Sequence, residues 1–408
     1  MTYGIPSFKL EKTIIDAEIQ VLRELGVEIR CGVEVGRDVT IPQLREQGFL
    51  AFYIAIGCQG GRLPGVPGEH AAGTDIAVHF LHEALADENQ HMNGRVVVIG
   101  GGNVAVDCAR TAVRFGAEAV SMVCLESRDT MPASKDEIAE AEEEHIEIHT
   151  GWGPKELLQD ESGHVTAVVF KKCLRTIDPE TGKFAPVYDE AETITLPANH
   201  VVFAIGQAIE WGGLLKDTKV TFHRGNYPVA DPLTYQTAEA DIFVGGDVYH
   251  GPKFVIDAIE EGKCAAESLH RYVHKGASLT IGRNRRDFYE LDKTNLALGD
   301  YDRAPRQAAG MDDAIDAHRS FRDAHLTLTE AQVKTETARC LGCGASVVDP
   351  NKCIGCGVCT TKCEFDAIHL HRDLPECSTM VRSEDKFKAI LPYMAKREVK
   401  IRFGKKDK

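Results

Sequence analysis

The chain has 408 residues, of which 43% are hydrophobic and 27% are charged, enough to form two or three domains with their own cores. Its 62 acidic and 47 basic residues give a net charge of −15, which disfavours nucleic acid and anionic lipid as partners. No apolar run approaches the roughly 18 residues of a membrane-spanning helix, and the first ten residues do not resemble a signal peptide. We therefore expect a cytoplasmic protein that binds neither nucleic acid nor membrane.

Strand and helix patterns alternate over the first 275 residues, which is typical of an α/β fold. Apolar residues recur at helical spacing over 11–25, a short strand follows at 27–30, and residues 51–57 form a buried strand that ends in glycine. Further strands are predicted at 96–99, 119–125, 165–172, 193–196, 200–205 and 242–244, and further helices at 104–115, 134–145 and 254–272. Residues 276–338 are polar and weakly patterned, and the basic tail after Lys396 is expected to fray.

A glycine-rich turn joins a predicted strand to a predicted helix and is the strongest motif of the first half. Gly100, Gly102 and Ala105 follow a G-x-G-x-x-A pattern within a βαβ unit of about thirty residues. The first glycine permits a tight turn, the second lets a pyrophosphate approach the backbone, and the alanine allows close packing of helix and strand. The phosphates then lie at the helix N-terminus, where amides and the helix dipole favour anions. The loop, with Asn103 and Val104, therefore predicts a nicotinamide dinucleotide site.

One acidic residue bears on which nucleotide is bound. Glu126 lies at the end of the second strand of this unit, where a carboxylate accepts hydrogen bonds from ribose hydroxyls and repels a 2′-phosphate. Arg128 follows two residues later and is long enough to reach such a phosphate. We therefore favour NADH over NADPH. The alternatives are a glutamate that has no role and a glycine turn that holds no ligand.

Seven of the thirteen cysteines lie between residues 340 and 377, and four of these form one continuous run. The run is C-x2-C-x2-C-x3-C and consists of Cys353, Cys356, Cys359 and Cys363. Bacterial ferredoxins use this spacing to bind [4Fe-4S] clusters, whereas a zinc site needs only two C-x2-C pairs. The other six cysteines are scattered singly, without the pair that forms a redox-active disulfide. The run therefore predicts one [4Fe-4S] cluster.

A second cluster is possible in principle if three more cysteines take part. Cys340, Cys343 and Cys377 bring the number of thiolates to seven, one fewer than two clusters require. The eighth ligand would then be Ser346, another non-cysteine group or a cysteine of a partner. The alternative is that Cys340 and Cys343 are free thiols at a domain edge.

A second strand–glycine–helix segment spans residues 240–266 and contains Gly245, Gly246 and Asp247. Asp247 can accept a hydrogen bond from a ribityl hydroxyl, and the following helix N-terminus can stabilise negative charge on a reduced flavin. This segment resembles the FAD-closing motif of the two-dinucleotide-binding flavoproteins, and specifically of the NAD(P)H-dependent glutamate synthase small-subunit family. The same module is found in dihydropyrimidine dehydrogenase and in several electron-bifurcating complexes.

The resemblance covers about residues 1–275 and includes several further motifs. These are Tyr3-Gly4-Ile5-Pro6 with Phe8-Lys9-Leu10, Ala55-Ile56-Gly57, Met131-Pro132-Ala133 and Ala204-Ile205-Gly206-Gln207. The resemblance implies that Gly246, Asp247, Lys253 and Phe254 contribute to an FAD site and that Gly206 also lies at a cofactor. It further implies an α/β two-dinucleotide-binding flavoprotein fold, with a Rossmann-like NAD(P) domain inserted in an incomplete FAD domain, plus a small α+β ferredoxin-like domain.

The implied domains follow one another along the chain. They are a partial FAD domain at 1–93, an NAD(P) domain at 94–208, the closing part of the FAD domain at 209–275, a linker at 276–339, a 4Fe-4S ferredoxin-type domain at 340–380 and a tail at 381–408.

The sequence departs from the family pattern at two places. Family members that use NADPH commonly carry two arginines after the second strand; matched on Met131-Pro132-Ala133, these positions hold Leu125 and Glu126. The family's G-x-G-x-x-G loop for the FAD pyrophosphate should precede Tyr3, and the only such loop is the one at Gly100. Either the sequence is truncated, or a separate chain supplies the missing half, or FAD is not held; the first two explanations are favoured.

The combination of motifs indicates an electron-transfer function. Nicotinamide gives up two electrons as hydride, whereas an iron–sulfur cluster accepts one at a time, so a flavin must stand between them. We therefore expect an electron-input oxidoreductase subunit that passes electrons from NAD(P)H through FAD to the cluster and a partner protein, with no catalytic side chain. The alternatives are a flavin-less iron–sulfur electron-wire subunit and a docking or regulatory module that binds nucleotide without turnover. The electron acceptor is left open.

Overall fold

The computed structural model describes residues 1–223, 225–283, 304–316, 318–340, 348, 352–363, 367–371 and 381–403. The chain divides into two compact units, one from Met1 to Ala338 and the other from Arg339 onward. Among the described residues, no helix combines the length and the apolar character that crossing a bilayer requires.

Helices and strands alternate over most of the larger unit, as an α/β fold requires. The described strands are β1 (Phe52–Ile54), β2 (Gly60–Gly61), β3 (Thr74–Ile76), β4 (Arg95–Ile99), β5 (Ala119–Cys124), β6 (Glu147–Thr150), β7 (Trp152–Gln159), β8 (Val165–Ile177), β9 (Phe184–Pro197), β10 (His200–Phe203), β11 (Gln207–Ala208) and β12 (Ile242–Val244). The described α-helices are α1 (Lys12–Glu24), α2 (Ile41–Glu46), α3 (Ala77–Ala86), α4 (Asn103–Arg114), α5 (Lys135–Glu143), α6 (Asp247–His250), α7 (Val255–Val273), α8 (Glu330–Ala338), α9 (Val358–Lys362) and α10 (Lys386–Phe403).

A five-stranded parallel sheet in the order β3-β10-β4-β5-β6 forms the centre of the larger unit. Side chains of β4 point alternately to its two faces. Val96 and Val98 pack in one core with α3, α4 and α5, whereas Val97 and Ile99 belong to a second core on the opposite face. The antiparallel strands β7, β8 and β9 cover that second core. Because the sheet is covered on both faces, β4 is continuously apolar after its first residue.

A separate two-stranded parallel sheet joins β1 to β12, with Phe52 opposite Ile242 and Ile54 opposite Val244. All five strands of the larger sheet lie between β1 and β12 in the sequence. The short strands β2 and β11 pair with each other where the chain passes to and from the larger sheet. This topology is that of one domain of the dinucleotide-binding type inserted into another. The exact domain boundaries stay predictions.

The predicted strand at residues 27–30 is wrong. These residues are not paired with any strand in the described part of the chain, and Val27 and Ile29 are 50% and 43% exposed. Strand propensity is not sufficient, because a strand forms only where a neighbouring segment supplies hydrogen-bond partners.

The C-terminal tail is more regular than the sequence predicts. Instead of fraying after Lys396, α10 continues to Phe403, and Arg402 Nε lies 3.2 Å from the Glu398 carboxylate one turn earlier. Such i, i+4 pairs and straight-chain side chains favour helix. No residue of α10 is buried against the rest of the described chain.

Two segments that are remote in sequence pack together on α4. The ring of Phe321 lies 6.2 Å from that of Phe8 and 5.6 Å from that of Phe115. The Arg114 guanidinium lies 3.8 Å from the centroid of the Phe8 ring and donates a hydrogen bond to the Ser320 carbonyl oxygen (2.9 Å). Part of the predicted linker is therefore held against the helix layer of the inserted sheet.

The same helix carries a cluster of buried charges. Arg110 and Arg114 both donate hydrogen bonds to Glu144. Burial favours the neutral acid, but these two hydrogen bonds lower the pKa of Glu144. Closer to the helix N-terminus, Lys9 contacts the Asp107 carboxylate. Burial raises the pKa of Asp107 to about 6, against the opposing effect of Lys9.

Replacement of Asp107 by asparagine is expected to remove one pH dependence of stability. Because the pKa of Asp107 rises from 3.8 to about 6 on folding, the folded state binds this proton more tightly, and stability decreases as the pH rises through this interval. The free energy of unfolding of the wild type, minus that of Asp107→Asn, should therefore fall by about 3 kcal/mol between about pH 4 and about pH 7.

Denaturant-induced unfolding at a series of pH values measures this difference. Asp129→Asn, which changes an exposed carboxylate, is the matched control and should leave the pH profile unchanged. Parallel profiles for the wild type and Asp107→Asn would contradict the prediction.

Candidate functional site

The glycine loop between β4 and α4 lies at the carboxyl edge of the five-stranded sheet. Gly100 has a φ of 149°, and a Cβ atom there would lie 2.4 Å from the carbonyl oxygen of Ala204, which follows β10. The backbone N–H of Gly100 donates to the Val123 carbonyl oxygen, and that of Ala204 donates to the Ile99 carbonyl oxygen, each at 2.8 Å. The ends of three strands are thus held together, and only glycine fits at position 100.

Gly102 is a glycine for a different reason. Its φ of −95° and ψ of 175° are values that any residue adopts, and among the described residues no atom beyond the adjoining backbone lies within 4 Å of the position that a Cβ atom would occupy. Neither backbone conformation nor protein packing requires a glycine here. The open space before the backbone, next to the N-terminal amides of α4, fits a closely approaching pyrophosphate. Ala105 is fully buried, as close helix–strand packing requires.

The two other predicted loop residues have partners within the protein. The side-chain oxygen of Asn103 accepts a hydrogen bond from the backbone N–H of Ser134 (2.9 Å), the N-cap of α5. The backbone N–H of Ala133 donates to the Gly101 carbonyl oxygen (3.0 Å). Val104 packs against the core that the sheet forms with α3, α4 and α5. The segment before α5 therefore closes one side of the loop.

Glu126 and Arg128 follow β5 and differ in how close they lie to the loop. Oε2 of Glu126 is 3.1 Å from the position that a Cβ atom on Gly101 would occupy. Nη2 of Arg128 lies 2.6 Å from Oε2 of Glu142, so this guanidinium is already paired with a carboxylate. A carboxylate therefore lies beside the loop, and the charge of Arg128 is partly neutralised by Glu142.

Gly206 lies where the chain leaves the larger sheet. It has a φ of 125°, and its carbonyl oxygen accepts a hydrogen bond from the backbone N–H of Arg62 (3.2 Å). A Cβ atom at this position would lie 3.4 Å from Cδ of Arg62. Arg62 is not part of any sequence motif, and its proximity depends on the pairing of β2 with β11.

The Gly-Gly-Asp turn follows β12, and both of its glycines are required by the protein itself. A Cβ atom on Gly245 would lie 2.1 Å from the Tyr53 hydroxyl, and Gly246 has a φ of 73°. One carboxylate oxygen of Asp247 accepts a hydrogen bond from the backbone N–H of Lys253 (3.2 Å), and burial raises the pKa of Asp247. No other hydrogen bond to this carboxylate comes from the described residues, so it retains the capacity to accept one from a ribityl hydroxyl.

The residues that open α7 are less constrained. Phe254 is 70% exposed, and its backbone N–H donates to the Asp257 carboxylate (3.1 Å). The side chain of Lys253 is exposed. Only the backbone N–H of Lys253 is seen to contact Asp247, and a contact of the Lys253 or Phe254 side chain with a cofactor stays a prediction.

Sequence motifs alone did not reveal Glu261, which is 5% exposed and accepts a hydrogen bond from the backbone N–H of Gly246. Its second carboxylate oxygen lies 3.0 Å from Nε2 of His250. One signal was available, because Glu261 shares a helical stripe with the buried residues Ala265 and Ser268, where a charged residue is unexpected.

The cysteine run lies in the smaller unit, and its four cysteines are described. Gly355 and Gly357 have φ values of 66° and 77° and turn the chain between successive cysteines. Cys359 lies in α9. The backbone N–H of Ala367 donates to Sγ of Cys363 (3.3 Å), a contact of the kind that tunes the potential of cluster thiolates.

The donor set fits an iron–sulfur cluster rather than a single ion. In the described stretches of the chain, no three Cys, His, Asp or Glu side chains converge as the ligands of one metal ion do. In a four-iron cluster each thiolate binds a different iron atom, so such convergence is not required. Cys340 is described, whereas Cys343, Ser346 and Cys377 lie outside the described residues, and their part in a second cluster stays a prediction.

Two family comparisons match separate parts of the chain. Residues 37–262 match the family described as pyridine nucleotide-disulphide oxidoreductase, and residues 346–369 match the 4Fe-4S binding domain. The second match overlaps the cysteine run and confirms that a 4Fe-4S domain is present.

Relatives of known name resemble most of the chain. It is 32% identical over 351 residues to the NADP(+)-dependent formate dehydrogenase subunit beta of Moorella thermoacetica, covering 84% of this chain and 49% of that protein. It is 31% identical over 294 residues to the glutamate synthase [NADPH] small chain of Azospirillum brasilense, covering 69% of this chain and 60% of that protein. The chain thus spans about half the length of the relatives it matches.

A solved structure shares the fold. FprA from Mycobacterium tuberculosis, in complex with NADPH, has a TM-score of 0.53 at 17% identity, covering 66% of this chain and 74% of that one. Together with the sequence relatives, it confirms the flavoprotein-type α/β fold and the family that the motifs indicate. The family match extends over more than half of the chain, which therefore belongs to the pyridine nucleotide-disulphide oxidoreductase family and carries a 4Fe-4S binding domain in its C-terminal part.

Proposed function

We propose that this protein is an electron-input subunit that passes electrons from NADH through FAD to a [4Fe-4S] cluster and on to a partner protein. The observation that carries the proposal is the open space before the Gly102 backbone, which neither the backbone conformation nor the packing of the protein explains. The same chain carries the Gly246–Asp247 turn and the ferredoxin-type cysteine run. When bound, FAD supplies the exchange between hydride transfer and single-electron transfer.

The chain's own residues bind and orient in this proposal. The amides at the start of α4 bind the dinucleotide pyrophosphate, Glu126 accepts hydrogen bonds from the ribose, and Asp247 accepts one from the ribityl chain. Cys353, Cys356, Cys359 and Cys363 bind iron. No side chain is required as a nucleophile or general base, because the cofactors carry the chemistry.

The preference for NADH is a further part of the proposal. The relatives are named for NADP(+) and NADPH, whereas in this chain a carboxylate lies beside the loop and Arg128 is paired with Glu142. A 2′-phosphate would meet the negative charge of Glu126 before any free cation. We therefore keep NADH as the favoured donor.

A protein partner is also part of the proposal, and the names of the relatives support it. One is a subunit of a formate dehydrogenase and the other is the small chain of a glutamate synthase. The electron acceptor of this chain is left open, and the candidates are enzymes of these and similar kinds. One cluster follows from the cysteine run, and a second requires a ligand beyond Cys340, Cys343 and Cys377.

The proposal includes a partner chain that contributes a strand–glycine–helix unit for the FAD pyrophosphate. Three elements expose apolar side chains that such a unit can cover: Val21 and Leu22 on α1, Val27 and Ile29 after it, and Ile256 on α7. Apolar surface of this kind usually marks an interface. The backbone of residues 28–30, which is paired with no strand among the described residues, offers hydrogen bonds to an added strand.

Absorption spectroscopy and anaerobic NADH titration test the proposal against its two alternatives. We expect the protein, reconstituted with iron, sulfide and FAD and joined to its partner, to show flavin and cluster bands that both bleach on addition of NADH. Cluster absorption without flavin bands would instead identify the electron-wire subunit. Nucleotide binding without bleaching of either chromophore would identify a docking or regulatory module.

Gly102→Asp is expected to weaken NADH binding without destabilising the fold. The new carboxylate would occupy the proposed phosphate space and repel the pyrophosphate, lowering affinity by about tenfold or more. Because the described part of the chain places no atom beyond the adjoining backbone within 4 Å of the Cβ position, the unfolding temperature should not change. Calorimetric titration with NADH measures the affinity.

Gly102→Asn is the matched control, with the same size and no charge. It should reduce NADH affinity less than Gly102→Asp does. Wild-type affinity in the aspartate variant would remove the loop from the proposed function.

Glu126→Arg is expected to shift the cofactor preference toward NADPH by about tenfold or more, because it replaces a repelling carboxylate with a phosphate-binding guanidinium. The ratio of kcat/KM for the two cofactors measures the shift. Glu118→Arg makes the same change of charge at an exposed position at the opposite end of β5 and should leave the ratio unchanged. An unaltered ratio in Glu126→Arg would eliminate Glu126 as a determinant of specificity.

A further inference from the structure

One buried carboxylate connects both ends of α6 to α7. Oε2 of Glu261 accepts a hydrogen bond from the backbone N–H of Gly246 at 2.5 Å, and Oε1 lies 3.0 Å from Nε2 of His250. Gly246 immediately precedes α6, and His250 is its last residue. A single side chain of α7 therefore bridges the start and the end of this four-residue helix.

The position of α6 depends on such external contacts. A helix of one turn is not stable by itself, because its few internal hydrogen bonds do not offset the loss of backbone entropy. Glycines flank it on both sides, Gly246 with a φ of 73° and Gly251 with a φ of 84°, and glycine is the most flexible residue in the unfolded chain. The backbone can therefore turn at either end of α6 unless external contacts hold it; Glu261 provides such contacts at both ends, and the buried side chain of Val248 provides one between them.

The electrostatic environment favours a hydrogen-bonded pair over two separate charges. Burial raises the pKa of Glu261, although the Gly246 N–H and Lys253 act in the opposite direction. Burial lowers the pKa of His250, and Lys253 adds to this effect. Both pKa shifts oppose ionisation of the two side chains. One proton between Nε2 of His250 and Oε1 of Glu261 gives each of these atoms a partner. The contact between His250 and Glu261 therefore does not require two charges to be buried.

We propose that Glu261 is a positioning residue for the FAD site: by tying both ends of α6, it fixes the direction in which the Asp247 carboxylate points. This inference rests on the proposed function, because FAD is the ligand assigned to Asp247. Glu261 itself is buried behind the turn and contacts the backbone of Gly246. Its effect on the flavin is therefore exerted through Asp247.

Three variants separate positioning from other roles. In Glu261→Ala both ties are lost, and we expect FAD affinity to fall by about tenfold or more. In Glu261→Gln the amide oxygen still accepts from Gly246 and the amide nitrogen donates to His250, so affinity should stay close to that of the wild type. Glu260→Ala changes the exposed neighbouring glutamate and is the control that should have no effect.

The measurement is a titration of the full chain, together with its partner, with FAD, followed by flavin fluorescence and by the flavin absorption spectrum. Loss of affinity and a shifted spectrum in Glu261→Ala, with recovery of both in Glu261→Gln, would support the proposal. Wild-type affinity and spectrum in Glu261→Ala would overturn it while leaving the proposed function intact. Equal losses in the alanine and glutamine variants would also overturn it, because hydrogen-bond geometry would then not be the cause.

Two further outcomes are distinguished by design. If Glu261→Ala does not fold, as judged by circular dichroism, His250→Ala removes only one of the two ties at a partly exposed position. A fall of about threefold in FAD affinity would then support the inference, and an unchanged affinity would overturn it. Failure of the wild-type assembly to bind FAD would overturn both this inference and the proposed function, and it is seen before any variant is made.

Discussion

The close approach of the Gly100 backbone to the carbonyl oxygen of Ala204 is the constraint on which the candidate nucleotide site depends. With 2.4 Å between that oxygen and the position of a Cβ atom, β4 and β10 end side by side, and the chain must turn at once into α4. This turn leaves the first amides of α4 at the sheet edge, where the space before Gly102 is open. Gly100 is thus required by the protein, and we propose that Gly102 serves a ligand.

The second turn, at Gly245 and Gly246, also depends on a close contact and on backbone conformation. Gly245 faces the Tyr53 hydroxyl and Gly246 has a left-handed backbone, so both glycines at this turn are structural. What distinguishes the turn is the carboxylate of Asp247 that follows it, since this carboxylate accepts only one hydrogen bond from the described residues. The two turns belong to different sheets that are joined through β2 and β11.

Local patterns were enough to predict the central βαβ unit to within about two residues, because apolar strands, a glycine turn and an amphipathic helix are determined by neighbouring residues. Features that depend on remote contacts were not predictable. The strand expected at 27–30 lacks a pairing partner in the described chain. Phe321, in the predicted linker, is buried by a ring from the N-terminal segment. Glu261 reaches the backbone N–H of Gly246 only because α7 packs behind the Gly246 turn.

The central claim is that this one chain carries both the nucleotide site and the cluster that receives the electrons one at a time after the flavin has separated them. Electron paramagnetic resonance of the reconstituted protein, frozen after anaerobic addition of NADH, tests it most directly. We predict a signal from the reduced [4Fe-4S] cluster when FAD is bound and no signal from a sample lacking FAD. A cluster that is reduced by dithionite but gives no signal with NADH, despite bound FAD, would contradict the account.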